Sequence, residues 1–213
     1  MCVTGPRPRR PAGRDAARFG SGFGNLINYG YSLQSHTTPH LTAMSLTKLK
    51  KELQKLEKPQ LIALFGELYK NQKSVKEYLD FYFEPNEADL LPNYRERVLR
   101  AFYPKRGYNY DLRAGKAAIS DFRKLGVSAQ PLADLMLHYV ECGIRFTNDY
   151  GDINESFYLS LETMYEQALA LMQQEKLLSH FAERNRRVVT DTSGIGWGFH
   201  DMLTDLYERC YAS

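Results

Sequence analysis

No run of about 18 apolar residues occurs in this 213-residue chain, so nothing in it reads as a bilayer-spanning helix, and no membrane partner is expected. The basic N-terminus lacks the apolar stretch that a secretory signal needs behind it, which argues against export. The three cysteines, Cys2, Cys142 and Cys210, form no CxxC pair and follow no metal-ligand spacing. Their odd number fits poorly with a closed disulfide framework and points to a reducing, cytoplasmic setting. No Gly-Lys-Ser/Thr string and no HExxH string occur, and His138 and His180 have no histidine one helical turn on. No metal and no cofactor are therefore expected, and no catalytic residue is assigned. Cys142 has no histidine read as its base, so a nucleophile is not expected there.

Residues 1–43 lack lysine altogether, yet carry five arginines (Arg7, Arg9, Arg10, Arg14 and Arg18) against the single acid Asp15. The basic balance of the chain belongs to this segment, because 23 basic and 24 acidic residues remain from Met44 onward. Global attraction to nucleic acid loses its support. With six of the fifteen glycines and no sustained period, residues 1–43 are expected to be a disordered tail. The composition turns to Lys, Glu and Leu at Met44, and the hypothesis is that translation begins there, leaving the tail as a gene-start artefact. An intact mass that includes residues 1–43 in the native protein would sink it. A mitochondrial-type presequence is the rival, opposed by Pro6, Pro8 and Pro11, which resist a helix.

What is present from Met44 onward is apolar spacing of helical period. Leu46, Leu49, Leu53 and Leu56 form one stripe, and Pro59 opens a second helix carrying Leu61, Leu64, Phe65 and Leu68. A third carries Val75, Tyr78, Leu79 and Tyr82, capped by Ser74 and closed by Pro85, and the pieces predict a helical hairpin. A fourth lies between Asn86 and Phe102, with a restart at Pro92 as one option. Ala118, Ile119, Phe122 and Leu125 mark the next, ending at Gly126. The clearest stripe follows: Leu132, Leu135, Met136, Tyr139, Val140 and Gly143. Asp152 with Glu155 reads as a capping box before Phe157, Leu161, Met164, Ala168 and Leu171. Two further helices close the chain, one over about Leu177 to Val189 and one carrying Leu203, Leu206 and Tyr207. The fold class is all-α: antiparallel helical hairpins packed as an irregular bundle or a short solenoid-like array, with 44–213 as a single domain.

Several strings taken together carry a resemblance. They are Leu46-Thr47-Lys48-Leu49-Lys50-Lys51-Glu52-Leu53, Phe102-Tyr103-Pro104-Lys105-Arg106-Gly107, Ile119-Ser120-Asp121-Phe122-Arg123-Lys124-Leu125-Gly126, Tyr150-Gly151-Asp152-Ile153 and Gly194-Ile195-Gly196-Trp197-Gly198-Phe199-His200-Asp201. Over residues 44–213 the chain resembles a bacterial family of small all-helical cytosolic proteins of unknown function. The resemblance implies the fold and the start at Met44, and it transfers no catalytic residue.

Two groups of residues carry candidate chemistry. Arg95, Arg97, Arg100, Lys105, Arg106, Arg113 and Lys116 are interleaved with Tyr103, Tyr108 and Tyr110, and only Glu96 and Asp111 oppose these seven cations. Such a patch can hold phosphates while tyrosines stack on bases, but a solvated face with inward tyrosines is the favoured reading. Trp197, His200 and Asp201 form the most enzyme-like cluster, but adjacent helical residues point about 100° apart, so Asp201 does not orient His200. The glycines from Gly194 to Gly198 read as a tight turn that lets Trp197 pack rather than as a phosphate cradle, because no strand precedes them. With no site established, a non-catalytic binding or adaptor module with a protein partner is the default reading, by elimination and fold-level analogy. The alternatives are a nucleic-acid-associated protein using residues 95–116 and an enzyme assembled around His200.

Overall fold

Local capping sets where the helices begin. The computed structural model describes residues 44–107 and 109–211, and the expected tail over residues 1–43 and the candidate Tyr108 lie outside the described residues. Among the described residues there are nine helices and no strand, so the all-α expectation holds. Packing divides the chain after Leu49, inside α1 (Leu46–Leu53), and groups Lys50–Ser213 as one unit.

In α2 (Lys58–Asn71) Pro59 sits in the first turn as predicted, and the Gln60 side chain accepts from the Glu57 backbone N–H at 2.8 Å. Gln72 alone joins it to α3 (Lys73–Phe83), which begins before Ser74 and stops two residues short of Pro85. Asn86 caps α4 (Glu87–Phe102) by accepting the Asp89 N–H at 3.2 Å, and the helix runs unbroken through Pro92. Asp111 caps α5 (Leu112–Lys124) in the same way through Ala114, and Gly126 follows at a φ of 82°, as its place behind the helix requires.

Ser128 precedes α6 (Ala129–Tyr150) without capping it. Its hydroxyl and N–H both donate to Glu87 instead, which ties the start of α6 to the start of α4. The predicted capping box at Asp152 is replaced by Asn154, whose Oδ1 accepts the Phe157 N–H at 3.0 Å at the start of α7 (Glu155–Gln174). Asp152 is diverted because it accepts the Tyr158 hydroxyl at 3.0 Å. Two helices complete the chain, α8 (Leu178–Thr190) and α9 (Phe199–Tyr211).

Twelve of the 22 residues of α6 are buried, which makes it the axis of an irregular bundle. It touches α4, α5, α7 and α8, while α9 closes over α7 and α8. Gly143 sets the closest approach: a Cβ there would stand 2.4 Å from the Leu161 side chain of α7. The hairpin of α2 and α3 is different. The two helices pack on each other, yet no residue of α1, α2 or α3 is buried, and the core begins only at Tyr94. Apart from Leu56, which lies in the turn after α1, the stripes read from Leu46 to Tyr82 lie on helices, but they stand at least partly open to solvent.

Candidate functional site

Two surfaces have the shape of a site. The first is a groove of about 500 Å³ on the α2–α3 hairpin, lined by Lys58, Leu61, Ile62 and Phe65 from α2 and by Tyr78, Leu79, Tyr82 and Phe83 from α3. Antiparallel helices with one apolar stripe each can cover only the part of the stripe that faces the other helix, and the remainder must face outward. Phe83 is 73% exposed, and Ile62 and Tyr82 are each 64% exposed. Of the fourteen large hydrophobic residues exposed in the described chain, ten lie between Met44 and Phe83, so the exposure is concentrated rather than scattered. The lining holds one charge, Lys58, which has no ion pair among the described residues, while elsewhere on the hairpin Lys70 pairs with Glu67, Lys73 with Glu77, and Lys76 with Asp80 at 2.8 Å.

The second surface is a polar cleft of about 390 Å³ between α6 and α8, lined by His138, Glu141, Cys142, Arg145, Asn148, Arg187 and Asp191 among others. Beneath it Arg184 of α8 donates to Glu141 through Nε and Nη2 and to Asp134 through Nη1 at 2.6 Å. Burial works to raise the Glu141 pKa, but the two Arg184 hydrogen bonds, with His138 Nδ1 nearby at 3.8 Å, outweigh it and hold the carboxyl down at about 2. His138 stands one helical turn before Cys142, with Nε2 3.5 Å from Sγ, a pairing that sequence reading missed although the i,i+4 spacing displays it. It does not make a nucleophile. Burial pushes the Cys142 thiol up to about 12, and the side chain is 2% exposed.

The basic patch divides. Arg95 approaches Asp134 at 2.9 Å and bonds it through Nη2, Arg97 pairs with Asp121 at 2.9 Å, and Arg100 pairs with Glu96 at 2.6 Å. Lys105, Arg106, Arg113 and Lys116 are exposed and have no ion-pair partner among the described residues. Tyr103 donates to Asp149 at 2.7 Å, and burial together with that carboxylate pushes its hydroxyl up to about 12. Tyr110 packs against Phe146 and Phe157, so neither tyrosine presents a free face beside the cations.

Trp197 does not pack inward as predicted: it is 62% exposed at a φ of 64°, held out by the turn between Gly194 and Gly198. His200 hydrogen-bonds Thr192 through Nδ1 at 2.9 Å, and Asp201 is exposed. Neither the groove nor the cleft is lined by Trp197, His200 or Asp201. No group of three His, Cys, Asp or Glu side chains with metal-holding geometry occurs among the described residues.

Fold and surfaces together define an all-helical bundle that carries an open apolar hairpin at its N-terminal side. The chain belongs to a family of unknown function, DUF6155, which matches residues 44–210 and so includes the hairpin. No curated protein and no solved structure matches the chain. No helix among the described residues is long and apolar enough to cross a membrane.

Proposed function

We propose that residues 44–213 act as one non-catalytic helical module that binds another protein through the apolar groove of its α2–α3 hairpin. The groove carries the proposal: Ile62, Tyr82 and Phe83 are large, mostly exposed and adjacent, and a hydrophobic patch of this kind on a soluble fold marks an interaction surface. Helix-in-groove recognition needs an apolar trough between two helices, which is the geometry on offer. Free thiols at Cys142 and Cys210 support a reducing, cytoplasmic setting, and a bacterial one rests on the family resemblance alone.

The test is comparative capture from the native cell using the full chain and its Phe83→Ser variant side by side. The proposal expects at least one protein to be lost with the variant and kept with Arg106→Ala. An identical captured set for all three chains would overturn it. The nucleic-acid alternative rests on the four exposed cations Lys105, Arg106, Arg113 and Lys116, and it is weakened by the engagement of Tyr103 and Tyr110 in packing.

A further inference from the structure

We infer that the occupant of the hairpin groove is a second copy of this chain, the two α2–α3 hairpins closing on each other as a four-helix bundle; this rests on the binding reading above. Three observations favour a like copy over an unlike partner.

The first is charge. From Lys58 to Glu84 the chain carries four lysines (Lys58, Lys70, Lys73 and Lys76) and four acids (Glu67, Glu77, Asp80 and Glu84). Three of the four pairs close inside the hairpin itself. A face chosen for a charged partner would display a surplus of the opposite sign, and two copies of such a face would repel. Summed over the hairpin there is no surplus, and the groove lining itself carries a single charge, Lys58, so two copies meet with little of that penalty.

The second is area. Ile62, Phe65, Tyr78, Tyr82 and Phe83 are each about half exposed or more. At about 200 Å² for a large apolar residue they leave on the order of 600 Å² open per copy. Two copies then bury roughly 1,200 Å², the lower limit for a specific interface. That size fits a reversible dimer.

The third is shape. The same surface carries both the trough between α2 and α3 and the aromatic knobs Tyr82 and Phe83, as a twofold contact requires when one patch must complement itself.

Sedimentation equilibrium on the full chain, from about 1 to about 200 µM, reads the outcome, with reversible, concentration-dependent association expected inside that range for an interface at the small end. The mass should rise from 24.6 kDa toward twice that value. Because twofold symmetry changes the interface twice, Phe83→Ser and, separately, Ile62→Ser should each weaken association at least about tenfold. Neither residue is buried, so at the dilute end, where the parent too is monomeric, helicity and unfolding midpoint should stay those of the parent, which separates lost docking from lost folding. A parent chain monomeric throughout, or a dimer indifferent to both substitutions, overturns the inference. If the parent is monomeric yet Phe83→Ser still loses a captured protein, only the like-copy occupant falls. If the captured set is also unchanged, the binding reading falls with it.

Discussion

Arg184 of α8 grips Glu141 of α6 through two near-parallel hydrogen bonds of 2.9 and 2.8 Å, so that one guanidinium fork fixes the spacing of the two helices that wall the polar cleft. Its remaining nitrogen holds Asp134, which Arg95 of α4 also approaches, and three helices are thereby joined. Removing the fork leaves the partly buried Glu141 carboxylate without its arginine and Asp134 with Arg95 alone. Arg184→Ala is expected to destabilise the fold by about 2–3 kcal/mol. For a chain of this size that lowers the thermal midpoint by about 5–10 °C. Circular dichroism on heating checks it, and a change under about 1 °C would show that the network contributes little.

The Glu141 carboxyl gives this network a pH signature. Its folded pKa of about 2 lies below the ordinary 4.5, so the native state binds its proton less readily than the unfolded chain. The stability contributed is fully present above about 4.5 and is lost as pH falls through about 2. With a third of the side chain exposed to solvent, the contribution is about 2 kcal/mol after screening. Urea unfolding of the parent and of Glu141→Gln should differ by that amount at pH 7. The gap should close across the acid window, and a gap independent of pH would contradict the assignment.

The central helices were legible because burial writes a dense pattern: Leu132, Leu135, Met136, Tyr139 and Val140 face neighbours on several sides, and only helical period explains their spacing. The hairpin was legible as two helices but not as a surface. An amphipathic stripe reveals that one side is apolar and says nothing of what covers it, so Phe65 and Tyr82 looked like core. Ion pairing was also hidden, since Asp121 and Asp134 lie 24 and 39 residues from Arg97 and Arg95 along the chain. Counting charge over residues 95–116 could not include them. The cap moves from Asp152 to Asn154 as the Tyr158 hydroxyl, six residues on, engages the Asp152 carboxylate, a competition that the capping-box pattern does not encode.

Cys142 should behave as an inert thiol despite its neighbour His138. Burial holds the thiol protonated up to about 12, and a thiolate is the reactive form. A disulfide reagent applied to the native protein at pH 8, with labelled peptides mapped by mass spectrometry, should modify the half-buried Cys210 well before Cys142. Under denaturant the two should react at similar rates. Labelling of native Cys142 as fast as Cys210 would revive His138 as its base.

The division of the basic patch predicts that its members respond differently to the same substitution. Arg95 is partly covered and joined to Asp134, so Arg95→Ala is expected to cost about 1 kcal/mol of stability, with Arg184 still holding the carboxylate. Arg106 is exposed without an ion-pair partner among the described residues, and Arg106→Ala should stay within about 0.5 kcal/mol of the parent. Binding discriminates further. If the exposed cations served nucleic acid, affinity for a single-stranded oligonucleotide would fall steeply with salt, and Arg106→Ala would flatten that dependence by about one phosphate contact. The protein-binding proposal expects no salt-dependent complex in an electrophoretic assay near physiological ionic strength. A tight complex that Arg106→Ala weakens about tenfold would move the functional surface from the hairpin to the loop between α4 and α5, because charge release and not apolar burial would then carry the recognition.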